Sequence, residues 1–387
     1  MRVLIAPNAF KETFTAAEAA HHIRARMQRS LPYANFSECP IADGGDGFAD
    51  VLASHLNALW IRRRVHNAAL QRTAAQFALS ADGTTAIIEL ARATGIAALK
   101  RKRPMTASTR GTGEIIAAAL NLGARNILLG IGGSASTDGG TGLARALGAR
   151  FLDRRGREVP EGGIGLERIA HIDLRRLHPA IAKAKINVAC DVTNPLHGMR
   201  GAAHIFAPQK GASPPQVRRL DAGLENLARV IRRDLGINVQ SLPGAGAAGG
   251  TGAGLAAFCG ATLVPGFDLV AATLGLASQI QNCDVVVTGE GRLDRTSLHN
   301  KAPIGIQRLA RHAGVPVVAV CGCVAPGTQL GFDAVFAASP PHPATLNSRR
   351  NRLALAGAAK AAAQWIRDRM LAPIAGPRNR KSIRPRE

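Results

Sequence analysis

A chain of 387 residues, 46% of them apolar, is long enough for two domains with separate cores, and no apolar run in it reaches the length of a membrane span. Six scattered cysteines, with no CxxC and no zinc spacing, form the pattern of a reduced, cytoplasmic protein rather than a disulfide-stapled secreted one. The formal net charge of +23 invites a nucleic-acid reading, but aromatics are only 4% and the arginines are spread over nearly every predicted helix, so no specific nucleic-acid partner and no membrane partner are expected.

The N-terminus, Met1-Arg-Val-Leu-Ile-Ala-Pro7, lacks an h-region and reads as a buried strand, not a signal peptide. Thr15 to Arg29 reads as a helix with Thr15 as N-cap and Glu18 completing a capping box. A strand near Asn35 to Ile41 and a helix from about Gly47 to Leu56 complete a β-α-β-α opening, the start of a parallel sheet. Three short strands follow, Trp60 to His66, Thr73 to Leu79 and Thr84 to Leu90, and their turn-like spacers suggest antiparallel pairing. The α/β rhythm resumes with a helix from Thr112 to Leu122, a strand from Asn126 to Leu129 and a helix from Thr141 to Leu147. Pro214 to Leu235 is an amphipathic, basic helix. Gly244 to Phe267 is apolar, yet its glycines and Pro265 speak against a spanning helix. Cys283 to Thr288 and Val315 to Val320 read as buried strands around a helix from Pro303 to His312, and a last helix runs from about Thr345 to Arg369.

These elements predict two α/β domains. Residues 1–58 plus 282–370 would form a Rossmann/flavodoxin-like parallel-sheet domain built from both chain ends, residues 59–281 an inserted mixed α/β domain, and residues 371–387 a disordered basic tail. Four apolar runs each end in a glycine-rich loop bearing acids or hydroxyls: Ile41 to Gly47, Ile127 to Gly140, Ile186 to Pro195, and Asp284 to Asp294. Glycines let backbone N–H groups approach phosphate, and carboxylates beside them can hold Mg²⁺ or take a proton from a hydroxyl. The pattern fits an anionic, metal-bound ligand, most simply a nucleoside triphosphate.

No GxxxxGK[ST] is present, which excludes the P-loop fold, and the protein-kinase signatures are missing. The loop from Gly130 to Gly140 offers Gly132, Gly133, Ser134, Gly139 and Gly140 as a phosphate cradle, against the plainer reading of a turn capped by Asp138. The match Gly244-Ala-Gly246-Ala-Ala-Gly249 lacks a preceding strand and reads better as close backbone packing. Lys11, Lys210 and Lys301 stand out in a chain that prefers arginine; each is a solvated charge or a contact to substrate or phosphate. Asp191 ends a strand and is the best-placed base for a hydroxyl proton, its plainer reading being a turn aspartate. Glu290 and Asp294 flank Arg292, as an ion-pair cluster or as Mg²⁺ ligands.

Six blocks in order resemble the bacterial two-domain glycerate kinases: Ala6 to Lys11; Ala42 to Gly47; Gly132 to Gly140; Cys190 to Leu196 with Phe206 to Gly211; Gly244 to Leu255; and Thr288 to Asp294 with Lys301 to Gly305. The resemblance covers residues 1 to about 370 and implies ATP- and Mg²⁺-dependent phosphorylation of D-glycerate, commonly at the 2-hydroxyl, with the active site in the cleft between two α/β domains. On this reading Lys11 and Asp191 are expected to be catalytic, Arg110 and Asp43 substrate-binding, and Lys210 and Lys301, beside the glycines, ATP-binding. Asp138, Glu290 and Asp294, with Asp43 as a further candidate, would serve the metal. The chain departs from the family pattern at Asn8 and Ala9, at Asp46 where glutamate is frequent, and at Arg110, which stands where tyrosine is frequent and either grips the substrate carboxylate or is simply tolerated. Another small hydroxy acid as substrate, a non-catalytic glycerate sensor, and a homodimer all stay open at this point.

Overall fold

Strand Arg2–Pro7 is buried on both faces, with Val3 and Ile5 in one apolar cluster and Leu4 and Ala6 in another. A strand of this kind needs a layer on each side, which parallel sheets with crossover helices supply. The computed structural model describes residues 1–45, 47–294, 302–325, 331–338 and 349–370, and all that follows concerns these. Lys301 and the predicted tail 371–387 lie outside them.

The fold is α/β with two sheets. One is five-stranded and fully parallel, in the order Ala334–Ala337, Val317–Cys321, Val285–Gly289, Arg2–Pro7, Asn35–Glu38, so it draws on both ends of the chain. The other is six-stranded, in the order Thr262–Val264, Lys185–Ala189, Asn126–Gly130, Thr85–Glu89, Arg72–Leu79, Leu59–His66. Its first four strands are parallel and its last two antiparallel. Thr85–Glu89 is the switch: it pairs antiparallel with Arg72–Leu79 on one side and parallel with Asn126–Gly130 on the other.

Helices Ala16–Gln28 and Arg349–Met370 cover the outer face of the five-stranded sheet. Arg110–Asn121, Thr141–Ala146, Pro214–Leu235 and Ala247–Cys259 cover the outer face of the other. One further apolar cluster joins the two inner faces. It takes Leu4, Ala6 and Val286 from the first sheet, Ile87, Leu128 and Ala189 from the second, and residues of helices Phe48–His55, Gly266–Thr273 and Ala302–His312 between them. Gly305 shows how close this layer is packed, since a Cβ there would lie 2.2 Å from the Phe267 ring. The carboxyl ends of the parallel strands carry the glycine-rich loops, and a cavity of about 240 Å³ opens between Gly44, Gly45 and Gly47 on one side and Glu89, Ala91, Arg92, Gly130 and Gly132 on the other.

Candidate active site

Ile41 donates its N–H to the Pro7 carbonyl (3.0 Å), so the loop from Asp43 leaves the edge of the five-stranded sheet beside Lys11's own loop. Asp191, two residues past strand Lys185–Ala189, ties that loop to the six-stranded sheet. Its Oδ2 accepts from Gly44 N (3.0 Å) and its Oδ1 from Gly266 N (2.7 Å), the first residue of helix Gly266–Thr273. The junction admits only glycine: a Cβ on Gly266 would lie 2.2 Å from Gly44 N, and one on Gly44 would lie 2.9 Å from the Ala189 Cβ. Asp43 folds over the same turn, its Oδ1 accepting from Gly45 N (3.1 Å). Desolvation lifts the Asp191 carboxyl above the usual aspartate range; the two N–H donors oppose it, and the charges of Asp43 and Asp268 add to it. A carboxyl lifted in this way suits a group that takes up a proton.

The loop from Gly130 to Gly140 divides in two. Gly132 and Gly133 are exposed, and the Gly132 backbone faces Gly45, where a Cβ would meet the Gly45 Cα at 3.2 Å. Ser134 is buried but for a small fraction, its hydroxyl 3.2 Å from that of Ser136. Asp138, Gly139 and Gly140 are interior. Asp138 Oδ2 accepts from Thr109 N (2.8 Å), Thr109 Oγ1 (2.8 Å) and Gly142 N (3.2 Å), and its Oδ1 from Gly140 N (3.2 Å). Burial pushes its carboxyl up and those donors pull it back. Gly139 and Gly140 take left-handed φ values of 61° and 73° and pack on helices Pro214–Leu235 and Ala247–Cys259. Lys210 is buried too; its ammonium donates to the Ser136 carbonyl, and burial brings its pKa down to about 8 against the pull of Asp138. This half is a knot of buried polar groups holding the loop, not a surface open to the cavity.

On the five-stranded sheet, Lys11 is exposed in a tight turn closed by paired backbone bonds between Phe10 and Phe14 (2.9 Å each way), and Gly291 packs against its backbone. Glu290, buried, begins the loop after Val285–Gly289, and Asp294 pairs with Arg292 at 3.4 Å. Arg110 heads helix Arg110–Asn121, and its guanidinium is engaged by Glu161, whose other oxygen accepts from Ser108 Oγ (2.8 Å). The structure therefore brings Asp43, Asp191, Gly132 and Gly133 to one junction, sets Lys11 beside the Glu290–Gly291 turn, and places Asp138, Gly139, Gly140, Lys210 and Arg110 in separate internal arrangements.

A model of the glycerate kinase family matches residues 3–367. The chain belongs to the glycerate kinase family. It is 41% identical over 342 residues to the glycerate 2-kinase of Escherichia coli K12, covering 87% of this chain and 90% of that one. It is likewise 41% identical over 344 residues to a glycerate kinase of Halalkalibacterium halodurans, with the same coverage. A crystal structure described as that of a glycerate kinase 2 from Salmonella typhimurium LT2 superposes with a TM-score of 0.89 at 38% identity, covering 96% of this chain and 99% of that one. The chain is thus a kinase, an enzyme of the two-domain α/β type. No helix among the described residues is long and apolar enough to cross a membrane.

For a kinase, the donor set is what matters next. Mg²⁺ is usually held by one or two carboxylates completed by substrate phosphates and water. Among the described residues no three His, Cys, Asp or Glu groups gather as a ready-made metal cage. The adjoining Asp43 and Asp191 fit the sparser pattern, since each repels the other's negative charge and a cation would relieve it. Two cavity-lining residues were not singled out from sequence. Glu89 accepts from Ala49 N (3.3 Å), in the first turn of helix Phe48–His55, and binds Arg92 Nε (2.5 Å). Arg92 reaches on to Asp50 (2.6 Å) and lies 4.5 Å over the Trp60 ring. Glu89 is the last residue of its strand, which the sequence pattern runs on to Leu90, so it is hidden there as an interior strand position; Arg92 has no signal.

Proposed function

We propose that this kinase transfers the γ-phosphoryl group of ATP to the 2-hydroxyl of D-glycerate, releasing ADP and 2-phosphoglycerate, in the cytoplasm. The observation that carries the reading is the junction where Asp191 and Asp43 hold the Gly44–Gly45 turn, and that turn meets the backbone of the exposed Gly132 beside a cavity. Gly132 and Gly133 receive nucleotide phosphate, and Lys11 and Arg92 supply positive charge near the anionic substrates. Asp191 orients the attacking hydroxyl and takes its proton, consistent with its raised carboxyl pKa. Asp43 is the first choice for holding Mg²⁺, with Glu290 and Asp294 as further acids on the neighbouring strand end. Mg²⁺ supplies neutralisation of the phosphate oxygens. Asp138, Gly139, Gly140 and Lys210 serve the reaction by fixing the loop that carries Gly132 and Gly133. Phosphoryl transfer is mostly positioning and charge neutralisation, which this division of labour provides.

The test is an ADP-release assay with D-glycerate and Mg·ATP, with the product identified by phosphorus NMR. The expected product is 2-phosphoglycerate. Formation of 3-phosphoglycerate would overturn the hydroxyl assignment alone. Turnover of another hydroxy acid but not of D-glycerate, by folded protein that binds ATP, would overturn the substrate.

A further inference from the structure

Lys100, Arg101, Lys102 and Arg103 are four successive cations, all exposed. Arginines elsewhere are often spent on carboxylates, as in Arg24 with Glu38, Arg110 with Glu161 and Arg219 with Glu167, but none of these four has a carboxylate partner among the described residues. Three of them, with Pro104, Met105, Thr106 and Gln216, line a cavity of about 380 Å³ that is separate from the one at Gly44 and Gly132.

The wall that carries them is fixed at both ends. Upstream, Ile96 N donates to the Gly133 carbonyl (2.9 Å), and Ile96 and Leu99 pack against the small cluster of Ala68, Ala107 and Ala135, so the cationic run begins four residues beyond a contact with the exposed glycines. Downstream, Ala107 N returns to the Arg103 carbonyl (2.8 Å) and Ile164 N donates to the Met105 carbonyl (2.8 Å). Two glycines let neighbouring chain close in: a Cβ on Gly162 would lie 2.7 Å from the Thr106 Cα, and one on Gly211 would lie 3.1 Å from the Lys102 Cβ. Charges held on a pinned backbone around a concavity lose less entropy on meeting a ligand than charges on a free tail.

We propose that this pocket binds a small anion bearing two or three phosphates. Three cations in so small a volume exceed what one carboxylate needs, while guanidinium forks and ammonium point charges together match a chain of phosphates. No aromatic side chain lines the pocket, which removes the stacking platform a single-stranded nucleic acid would require. The ligand can be the kinase's own nucleotide, an arm that rests on the reading above, or a separate phosphorylated metabolite.

The test compares the wild type with R101Q/K102Q/R103Q, using inorganic pyrophosphate as probe in isothermal titration at low salt. The substituted side chains are exposed, so an unchanged melting temperature is expected. Pyrophosphate affinity should fall tenfold or more. A KM for ATP that rises with it identifies the nucleotide as the source; an unchanged KM identifies a separate anion. Undiminished pyrophosphate binding in the variant, or binding of a single-stranded oligonucleotide without pyrophosphate, overturns the proposal. D-Glycerate turnover by the wild type, measured in parallel, separates a failure here from a failure of the kinase reading.

Discussion

The two halves of the loop from Gly130 to Gly140 use the same residue types for opposite ends. Gly132 and Gly133 are exposed, whereas Gly139 and Gly140 are glycine because the protein itself is already there. Across the space occupied by Gly139 and Gly140 lie Leu227 and the backbone of Thr251 and Gly254, so the inner half is interior packing. The two aspartates also differ: Asp191 bridges Gly44 of the cavity wall and Gly266, while Asp138 is at the centre of a closed hydrogen-bond knot. The glycine-rich, acidic loop therefore has an exposed half and a buried half, which the function proposed above uses as a ligand-facing device and a supporting one. Substitutions should separate them, the inner half answering in stability and the outer half in rate.

The largest effect is expected at Asp138. Asp138→Ala strands three backbone N–H groups and the Thr109 hydroxyl in the interior, at about 3–5 kcal/mol of stability, seen as a lower urea midpoint. A loss under about 1 kcal/mol would remove the distinction between the halves.

Lys210 sharpens it through pH. Its pKa falls from 10.5 to about 8 on folding, so between those values the unfolded chain binds a proton that the folded one has released. Stability contributed by this group therefore rises with pH across about 8 to 10.5, by about 1.4 kcal/mol per pH unit at most. The buried thiols of Cys39, Cys259 and Cys283 work in the opposite sense, since their folded pKa values are raised to about 11, 12 and 11. The informative quantity is the difference between wild type and Lys210→Met in urea titrations at pH 7.5 to 10.5; parallel curves would sink the assignment of an internal, partly neutral lysine.

At Asp191 the expected effect is in turnover. Asp191→Asn keeps an oxygen for one of the two N–H donors and loses the proton acceptor, so kcat should fall about a hundredfold or more, with a smaller change in KM and a stability cost near 1 kcal/mol. An unchanged kcat would leave Asp191 as a strut between Gly44 and Gly266 and nothing more.

Much of this arrangement is legible in the sequence because it is local. The Thr15–Glu18 capping box forms as read, Glu18 N donating to Thr15 Oγ1 (3.2 Å) and Thr15 N to Glu18 Oε2 (2.9 Å). Helix Pro214–Leu235 has the expected bounds, and the three strands after residue 58 pair antiparallel in sequence. The parallel edge that Thr85–Glu89 offers to Asn126–Gly130 is not local, and neither is the fate of the glycines. Gly249 is required because the Ser136 carbonyl would lie 2.1 Å from a Cβ there, a contact across more than a hundred residues. Glu89 is similar: its partner, the first turn of Phe48–His55, comes forty residues earlier in the chain. Helix Ala247–Cys259 opens with three residues of left-handed φ, Ala248, Gly249 and Gly250, a bend no periodicity announces.

The smallest effect belongs to the outer glycines, and it is the one that tests their openness directly. Gly133 has φ of 68°, and a Cβ there would meet only the Ala91 Cβ, at 3.3 Å. Gly133→Ala therefore carries the left-handed strain of a non-glycine residue, about 1–2 kcal/mol, with little added crowding. Gly139→Ala has similar strain at φ of 61°, but its methyl would sit 2.3 Å from the Leu227 Cδ2 and force that core side chain aside. Gly139→Ala should accordingly lower the melting temperature further while leaving KM for ATP near the wild-type value. Gly133→Ala should melt closer to wild type and raise KM for ATP several-fold, because its methyl occupies the approach to the loop. Should both variants raise KM equally at equal stability, the loop would be one ligand-facing surface throughout, and the burial of Gly139 would have to be relieved when nucleotide binds.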